Sequence, residues 1–315
     1  MPFSYWRWRL THGSTPPAAQ DTQIAADVIT NAAFFDALRR CGEVACAASE
    51  EESQPQSLSP GGAYSVRGRA RSRAGSACAP PRCPRSPARA TWQVAFDPLD
   101  GSSVLDAGFA VGSIAGVWPG DRLLGVRGRD QAAACYALYG PRTLLVLAAP
   151  ALPGVVNEYA LIPGEDAAAD PAARWRRLRT GLRVVPDAPR VFAPANARAV
   201  ADNGPYRQLL HQLLDQRLTI RYSGAMVPDV HHMLCGKGGG LFISPGSAAA
   251  PPKLRLLFEA APMAYVVEAA GGASCDEDGA QSLLVRMQRA CALRQPRRRH
   301  GLITLRLTET DALTL

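Results

Sequence analysis

A short apolar run over residues 92–96 leads directly into Asp97-Pro98-Leu99-Asp100-Gly101-Ser102-Ser103. Two carboxylates three residues apart at the end of a strand can point into one cleft, with the Leu99 carbonyl between them. Such oxygen ligands suit Mg²⁺, which keeps coordinated waters for a substrate phosphate. The glycine and two serines that follow offer N–H groups and hydroxyls to an anion at a helix start. An Asp helix cap followed by a turn is the alternative for a lone Asp-Gly-Ser, but the complete heptapeptide is more specific. It predicts a metal-dependent phosphate site.

The sequence around this motif alternates between strand and helix patterns. Apolar residues at helical spacing predict an amphipathic helix from Ile24 to about Gly42. A short strand over 44–48 then runs into Glu50, Glu51 and Glu52. Further strands are predicted over 92–96, 111–117, 123–126, 131–139, 143–148, 219–222 and 241–244, and further helices over 206–215 and 254–270. A polar stretch over 164–179 separates the two halves. The pattern predicts an α/β protein.

Composition and these patterns together suggest a domain organisation. The chain has 315 residues, of which 47% are hydrophobic, and this composition is typical of globular proteins. Residues 1–18 are expected to be a disordered or targeting stub. Residues 19–185 are expected to form a metal-binding α/β domain, and 186–315 a substrate-binding α/β domain. The first domain is interrupted by 53–90, which is rich in Pro, Gly, Ser and Arg and is interpreted as a disordered insertion. Residues 283–315 are interpreted as a divergent tail.

The net charge of +8 does not predict a nucleic-acid-binding protein. Residues 53–96 and 279–307 each contain seven Arg and no acid, and the rest of the chain carries a net charge of −6. A nucleic-acid-binding face would place basic residues along folded elements instead. No apolar run approaches the roughly 18 residues that a membrane helix needs. Neither nucleic acid nor membrane is therefore expected as a partner.

Three longer stretches extend the metal motif FDPLDGSS: VGSIAGVWPGDRLLGVRGRDQAAACYALYGPRTLLVLA, RYSGAMVPDV and KLRLLFEAAPMAYVVEAAGG. Together they resemble the sugar-bisphosphatase family, whose members act on fructose 1,6-bisphosphate or sedoheptulose 1,7-bisphosphate. The resemblance runs from about Asp21 to Ser282, interrupted by 53–90. It implies a layered α-β-α-β-α sandwich with a disordered insertion and a truncated or divergent C-terminus, since the family's last strand and helix are not recognisable after Ser282.

The resemblance also implies roles for the acidic residues. The metal ligands would be Glu50, Asp97, the Leu99 carbonyl, Asp100 and Glu259. Glu51 would help to activate the attacking water, with Asp27 beside it and Asp21 on a loop that closes the site. The Glu50-Glu51-Glu52 triplet leaves a one-residue ambiguity, and Ser49-Glu50-Glu51 is taken as the match. Carboxylates this close repel one another unless cations neutralise them, so two or more Mg²⁺ ions are expected.

Substrate binding is expected from residues in both halves. Around the metal motif these are Asp100, Gly101, Ser102 and Ser103, and in the second half Asn196, Arg221, Tyr222, Met226, Lys253 and Arg255. Cations there would hold the second phosphate, although Arg255 could instead face the metals opposite Asp21. Adjacent His231 and His232 could bind a metal, but the resemblance assigns them no such role. The middle stretch favours sedoheptulose 1,7-bisphosphate, hydrolysed at its C1 phosphate. A fructose-1,6-bisphosphatase and an inactive remnant of the family remain as alternatives.

Assembly, location and regulation depend on the resemblance alone. It implies a homodimer and a chloroplast stromal location, although residues 1–20 do not make a convincing transit peptide, and a cytoplasmic location is the alternative. The family's helices before the Asp21 match are missing here. AMP inhibition is therefore not implied, and thioredoxin control is in doubt because no cysteine precedes Asp21.

Overall fold

A computed structural model describes residues 19–58, 92–120, 123, 125–162, 174–184, 190–236, 239–275, 282–285 and 304–306. Within these residues the helices are α1 Ala19–Cys41, α2 Gly204–Asp215, α3 Met226–Cys235 and α4 Ala261–Ala269, the last preceded by a π turn, Leu256–Ala260. The strands are β1 Val44–Ser49, β2 Gln56–Ser57, β3 Trp92–Asp100, β4 Val111–Pro119, β5 Ala133–Tyr139, β6 Thr143–Ala148, β7 Val156–Leu161, β8 Trp175–Thr180, β9 Val191–Pro194, β10 Thr219–Ile220, β11 Gly240–Ile243, β12 Ala273–Cys275 and β13 Thr304–Arg306.

The described strands form two sheets. The first has eight strands in the order β2-β1-β3-β4-β5-β6-β7-β8. β1 runs parallel to β3, whereas the other neighbours in this sheet are antiparallel. Ser49, the last residue of β1, pairs with Phe96 in the middle of β3. This register places Glu50, the residue after Ser49, close to Asp97, the residue after Phe96.

The second sheet has five described strands in the order β10-β9-β11-β13-β12. β9 runs parallel to both β10 and β11. β13 is antiparallel to both of its neighbours, and its Thr304 pairs with Ile243 on one side and Cys275 on the other. The last described strand in chain order thus lies inside the sheet.

Helices cover and separate the two sheets in the described part of the chain. α1 packs on the outer face of the first sheet, where Phe34 stacks on Phe96 with 4.7 Å between ring centroids. α3 and α4 lie between the sheets and share one apolar core with Ile114, Tyr136 and Phe242. α2 packs on the outer face of the second sheet through Tyr206 and Leu213, which form a second core with Phe192, Leu241 and Ile243. The predicted α-β-α-β-α sandwich is confirmed.

Local sequence signals explain where several helices begin and end. α1 stops at Cys41, because Gly42 takes a left-handed conformation (φ 72°), close to the predicted end. The Asn203 side chain accepts a hydrogen bond from the Tyr206 N–H and so caps α2. α4 is followed by Gly271 with φ 90°, which is the predicted stop.

The secondary structure differs from the sequence-based assignments in several places, and β7, β9 and β12 are among the strands that were not predicted. The described residues of the run over 123–126 do not form a strand; Leu123 is buried and packs in one cluster with Trp118. β8 occupies the end of the stretch read as polar, because an edge strand exposed along most of its length lacks an apolar alternation. α3 was not predicted as a helix. The strand over 219–222 ends at Ile220.

Two predicted boundaries also change. β2 lies in residues assigned to the disordered insertion, and it pairs with β1 through Gln56 and Ser57. β13 lies in the predicted divergent tail and provides a strand that was not recognisable in the sequence. The remaining stretches of these predictions, 1–18, 59–90, 286–303 and 307–315, lie outside the described residues. Among the helices of the described part of the chain, none has the length and apolarity required to span a bilayer.

Candidate active site

Three carboxylates meet where β1 ends beside β3. The side chains of Glu50, Asp97 and Glu259 each bring an oxygen within 4.8 Å of the other two. Glu50 follows β1, Asp97 lies in β3, and Glu259 comes from the π turn. The structure therefore unites three of the predicted ligands from distant parts of the sequence.

Burial makes this cluster electrostatically costly. Asp97 is 4% exposed and Glu259 is 7% exposed. Burial, followed by the nearby Glu50 carboxylate, raises the pKa of both Asp97 and Glu259 well above the usual range. Burial also raises the pKa of Glu50 to about 7, although Arg255 opposes the shift. A bound cation would relieve this repulsion.

One oxygen of the cluster has a particularly informative environment. Glu50 Oε2 is buried and accepts no hydrogen bond within the described part of the chain. A buried carboxylate oxygen without a donor is costly unless it has another partner. Its position among carboxylates makes a hard divalent cation the appropriate partner, since such ions take oxygen ligands. The donor set therefore fits the metal that the sequence predicts.

Arg255 ties two members of the cluster together. Its guanidinium Nε lies 3.0 Å from Glu50 Oε1, and its Nη1 donates to the Glu50 carbonyl at 2.5 Å. Its backbone N–H donates to Glu259 Oε2 at 2.6 Å. Of the two predicted positions for Arg255, the structure shows the one beside the metal-ligand candidates.

Asp100 lies next to the cluster but its oxygens have other partners. Oδ1 accepts from the Met226 N–H at 3.1 Å, and Oδ2 accepts from the Val227 N–H at 2.6 Å. The carboxylate thus caps the N-terminus of α3, where a negative charge is favoured. Burial raises its pKa to about 6, and these two N–H groups oppose that rise. Asp100 therefore joins the metal motif to the middle helical layer.

The turn after Asp100 requires a glycine. Gly101 has φ +89°, and a Cβ there would lie 2.4 Å from the Ala225 Cβ. Ser102–Val104 forms a short 3-10 turn, in which Ser103 is exposed. The Asp97 Oδ1 accepts from the Leu99 N–H at 2.9 Å, and the Leu99 side chain packs in an apolar cluster near Ala26. These contacts hold the predicted phosphate-binding turn against the start of α3.

The acidic triplet divides between two environments. Glu51 is exposed, and burial together with the Glu51 charge raises the pKa of Asp27 on α1 to about 6. Glu52 instead accepts hydrogen bonds from Asn31 at 3.0 Å and Gln56 at 2.6 Å. Glu51 and Asp27 are therefore close to each other, as the chosen register expects. The Asp21 side chain lies outside the described part of the chain.

The predicted substrate residues differ in their surroundings. Arg221, Tyr222 and Lys253 are exposed. The Asn196 amide donates to the carbonyls of Pro245 and Ala250, at 2.8 and 2.9 Å. That side chain therefore holds two loops together.

Met226 differs from the prediction, because its side chain is buried in the core between the sheets. Its backbone N–H, rather than its side chain, is what meets Asp100. A side chain in that core is not available to a sugar.

Sequence analysis did not identify Asp229. This residue is buried on α3, and both of its carboxylate oxygens accept from the Ser223 N–H, at 2.9 and 3.2 Å. It therefore holds the segment that follows Arg221 and Tyr222. Its signal in the sequence is a single acid among the apolar residues that begin α3, and a buried acid there needs a hydrogen-bonding partner.

Comparison with known families yields two matches. Residues 84–165 match the model described as "Fructose-1-6-bisphosphatase, N-terminal domain", and residues 185–297 match that of the C-terminal domain. A chloroplastic sedoheptulose-1,7-bisphosphatase from Spinacia oleracea is 38% identical over 264 residues, covering 84% of this chain and 58% of the relative. A class 1 fructose-1,6-bisphosphatase from Syntrophotalea carbinolica is 39% identical over 194 residues, covering 61% of this chain and 55% of the relative. The chain thus spans less than two thirds of the length of these relatives.

Two solved structures have a fold similar to that of this chain. A structure described as a sedoheptulose-1,7 bisphosphatase from Toxoplasma gondii has a TM-score of 0.69 at 29% identity, covering 90% of this chain and 79% of that one. A Leishmania major fructose-1,6-bisphosphatase has a TM-score of 0.68 at 26% identity, covering 90% of this chain and 78% of that one. The sequence and structural similarities therefore agree with each other.

Proposed function

The chain belongs to the fructose-1,6-bisphosphatase family, and from that membership we propose that it is a Mg²⁺-dependent phosphatase acting on the C1 phosphate of sedoheptulose 1,7-bisphosphate. The observation that carries the proposal is the Glu50, Asp97 and Glu259 cluster with its unpartnered Glu50 Oε2. Buried carboxylates in this arrangement are well suited to cation-assisted phosphoryl transfer, which depends mainly on positioning and charge neutralisation.

The metal would be held by Glu50, Asp97 and Glu259, with the Leu99 carbonyl and Asp100 as the further ligands suggested by the resemblance. When bound, Mg²⁺ supplies charge neutralisation and polarises a phosphoryl oxygen. Asp100 already accepts from two N–H groups of α3, so its main contribution is to fix the Gly101 turn. That turn offers backbone N–H groups to the C1 phosphate.

The proton chemistry is assigned to Glu51 and Asp27. Glu51 takes a proton from the water that attacks the phosphorus atom, while the bond between phosphorus and the C1 oxygen breaks. The departing C1 oxygen takes up a proton from solvent, and Glu51 later releases its proton to solvent. The products are sedoheptulose 7-phosphate and inorganic phosphate. Asp27, whose pKa of about 6 reflects burial and the Glu51 charge, is the neighbour that orients and tunes Glu51.

The second phosphate would be held by Arg221, Tyr222 and Lys253. All three are exposed and so are accessible to a ligand, and Asp229 orders the segment beside Arg221 and Tyr222 through Ser223.

The seven-carbon substrate is favoured because similarity to the spinach sedoheptulose-1,7-bisphosphatase extends over 84% of this chain. Similarity to the bacterial fructose-1,6-bisphosphatase extends over 61%. Fructose 1,6-bisphosphate is the second candidate.

The deciding experiment measures phosphate release from both bisphosphates while Mg²⁺ is titrated. Asp97→Asn removes a central carboxylate, and Asp215→Asn, at the exposed end of α2, is the matched control. Preferential release from the seven-carbon substrate, abolished by Asp97→Asn but not by Asp215→Asn, would support the proposal. Preferential release from the six-carbon substrate would identify a fructose-1,6-bisphosphatase. No release by a cooperatively folded protein would favour an inactive family member.

The proposal extends to location and assembly. The plant and algal relatives are named chloroplastic, and we infer a stromal location from that similarity. We also infer a homodimer from the family. Import of the full-length chain into isolated chloroplasts tests the location. Light scattering, which gives the mass in solution, tests the homodimer. Exclusion from the organelle or a monomeric mass would contradict them.

A further inference from the structure

A second group of potential metal ligands lies away from the carboxylate cluster. Within the described residues, Glu158, His231 and Cys235 each bring one ligand atom within 4.8 Å of the other two. Glu158 lies on β7 and is 1% exposed, while His231 and Cys235 lie on α3. The group therefore bridges the first sheet and the middle helical layer. The phosphatase proposal does not use these residues.

The fold fixes the positions of these three side chains. His231 and Cys235 are four residues apart on α3, so they occupy one face of the helix. α3 is held at its N-terminus by Asp100 and packs tightly on the first sheet. A Cβ at Gly112 of β4 would lie 2.5 Å from the Val227 side chain. Little rearrangement is therefore available to the two α3 ligands.

The separation between Glu158 and His231 is close to that between two ligands of one tetrahedral metal ion. His231 Nε2 lies 3.7 Å from Glu158 Oε1. Zn²⁺ binds nitrogen and oxygen at about 2.0–2.2 Å in tetrahedral geometry, which separates two ligand atoms by roughly 3.3–3.6 Å. The distance between these two atoms is therefore too long for a hydrogen bond, and it is slightly longer than the distance between two ligand atoms of one ion.

The surrounding side chains orient the ligands. Arg179 Nε lies 2.5 Å from Glu158 Oε2, which leaves Oε1 facing the histidine. The Tyr136 hydroxyl lies 3.1 Å from His231 Nδ1. A histidine that donates from Nδ1 to a neighbour presents the lone pair of Nε2, and such outer partners are usual for metal-binding histidines. Arg179 is half-exposed.

The histidine is ready to bind a metal, whereas the cysteine must first lose its proton. Burial lowers the pKa of His231 to about 4, so the ring is neutral and its lone pair is available. Burial raises the pKa of Cys235 to about 12, so the thiol is protonated in the absence of metal. A metal that binds sulfur displaces that proton, which passes to solvent as the metal–sulfur bond forms.

We propose that Glu158, His231 and Cys235 form a binding site for one Zn²⁺ ion, with water in the fourth position. Cysteine and histidine ligands select this ion over Mg²⁺, which prefers oxygen, so the two sites would hold different metals. The bound ion joins β7 to α3 and stabilises the middle layer. The alternative is a metal-free network in which Tyr136, His231 and Cys235 are only hydrogen-bonded to one another.

Cobalt provides a spectroscopic test, because thiolate coordination to Co²⁺ gives a charge-transfer absorption band that carboxylates do not give. The full chain is reduced, saturated with Mg²⁺ to occupy the carboxylate cluster, and titrated with Co²⁺. We expect the band to saturate at one equivalent and to disappear when Zn²⁺ is added. Cys235→Ser should abolish it, whereas Cys41→Ser, at the exposed end of α1, should retain it.

A second measurement guards against loss of folding. Zn²⁺ should raise the Tm of the parent protein and of Cys41→Ser but not of Cys235→Ser or Glu158→Gln. If Cys235→Ser does not fold, the same comparison is made with Glu158→Gln alone. Absence of the band in the parent protein, its survival in Cys235→Ser, or an equal Tm increase in all variants would overturn the proposal.

Discussion

Arg255 and Glu50 are joined twice, by an ion pair of 3.0 Å between Nε and Oε1 and by a hydrogen bond of 2.5 Å from Nη1 to the Glu50 carbonyl. The first contact neutralises part of the charge on a candidate metal ligand. The second fixes the backbone at the end of β1. Together they aim Glu50 Oε2, the oxygen without a described donor, toward Asp97 and Glu259.

Replacing Arg255 should therefore weaken metal binding. Arg255→Ala frees the Glu50 side chain and removes the positive charge that opposes protonation of Glu50. We expect kcat/KM to fall by roughly 10–100-fold and the Mg²⁺ concentration for half-maximal activity to rise. Steady-state kinetics under Mg²⁺ titration measures both, with Arg176→Ala on β8 as the exposed control. An unchanged Mg²⁺ requirement would contradict the positioning role.

The acidic triplet permits a comparison of two adjacent glutamates. Glu51→Gln removes the proposed proton acceptor and should lower kcat by about 10²–10⁴-fold with little effect on KM. Glu52→Gln alters a residue that bonds to Asn31 and Gln56, and kcat should stay close to that of the parent protein. Equal losses of kcat in the two variants would mean that the chosen register is wrong by one residue.

Replacing either of two glycines by alanine allows the cost of backbone strain to be distinguished from the cost of a close contact. Gly101 and Gly108 both have positive φ, but only at Gly101 would a Cβ meet a neighbour, at 2.4 Å from the Ala225 Cβ. Gly108→Ala should reduce the free energy of unfolding by about 1–2 kcal/mol, the cost of a left-handed alanine. Gly101→Ala should cost about 1–3 kcal/mol more, because the contact adds to the strain. Urea unfolding of both variants tests this, and equal losses would show that α3 yields to the contact.

Asp229 should make stability depend on pH. Burial raises its pKa from 3.8 to about 7, so between these values the native state binds more protons than the unfolded state. Stability then falls as the pH rises, by up to ~1.4 kcal/mol per pH unit from this group. Asp229→Asn cannot ionise there and should show a smaller loss between pH 5 and pH 7. Urea unfolding of both proteins at the two pH values provides the measurement. The same pH dependence in both would show that Asp229 is not the cause.

Signals that are local in sequence predicted much of the architecture. Gly42 marks the end of α1, and Gly271 marks the end of α4, because a positive φ at glycine terminates a helix. Asp97 follows an apolar strand, and Glu259 lies in an apolar run, so both were recognisable as carboxylates that need partners. The pairing of β1 with β3 then explains why Glu50 joins them.

Contacts between distant residues could not be predicted in the same way. Asp100 bonds to N–H groups more than 120 residues later, and Arg255 reaches Glu50 across 205 residues. No local pattern encodes such pairings. β8 was missed because its side chains are mostly exposed, and Met226 was misassigned because a buried methionine and a ligand-binding methionine look alike in sequence.

The position of β13 affects the order in which the molecule can assemble. The second sheet reaches β12 only through Thr304–Arg306, so β11 and β12 have no direct backbone pairing to each other. During synthesis, the eight-stranded sheet can form long before this strand emerges from the ribosome. Closure of the five-stranded sheet must wait until Thr304–Arg306 has been made, which leaves the edges of β11 and β12 open until then. The half of the protein proposed to recognise the substrate is therefore the last to become protected from mispairing.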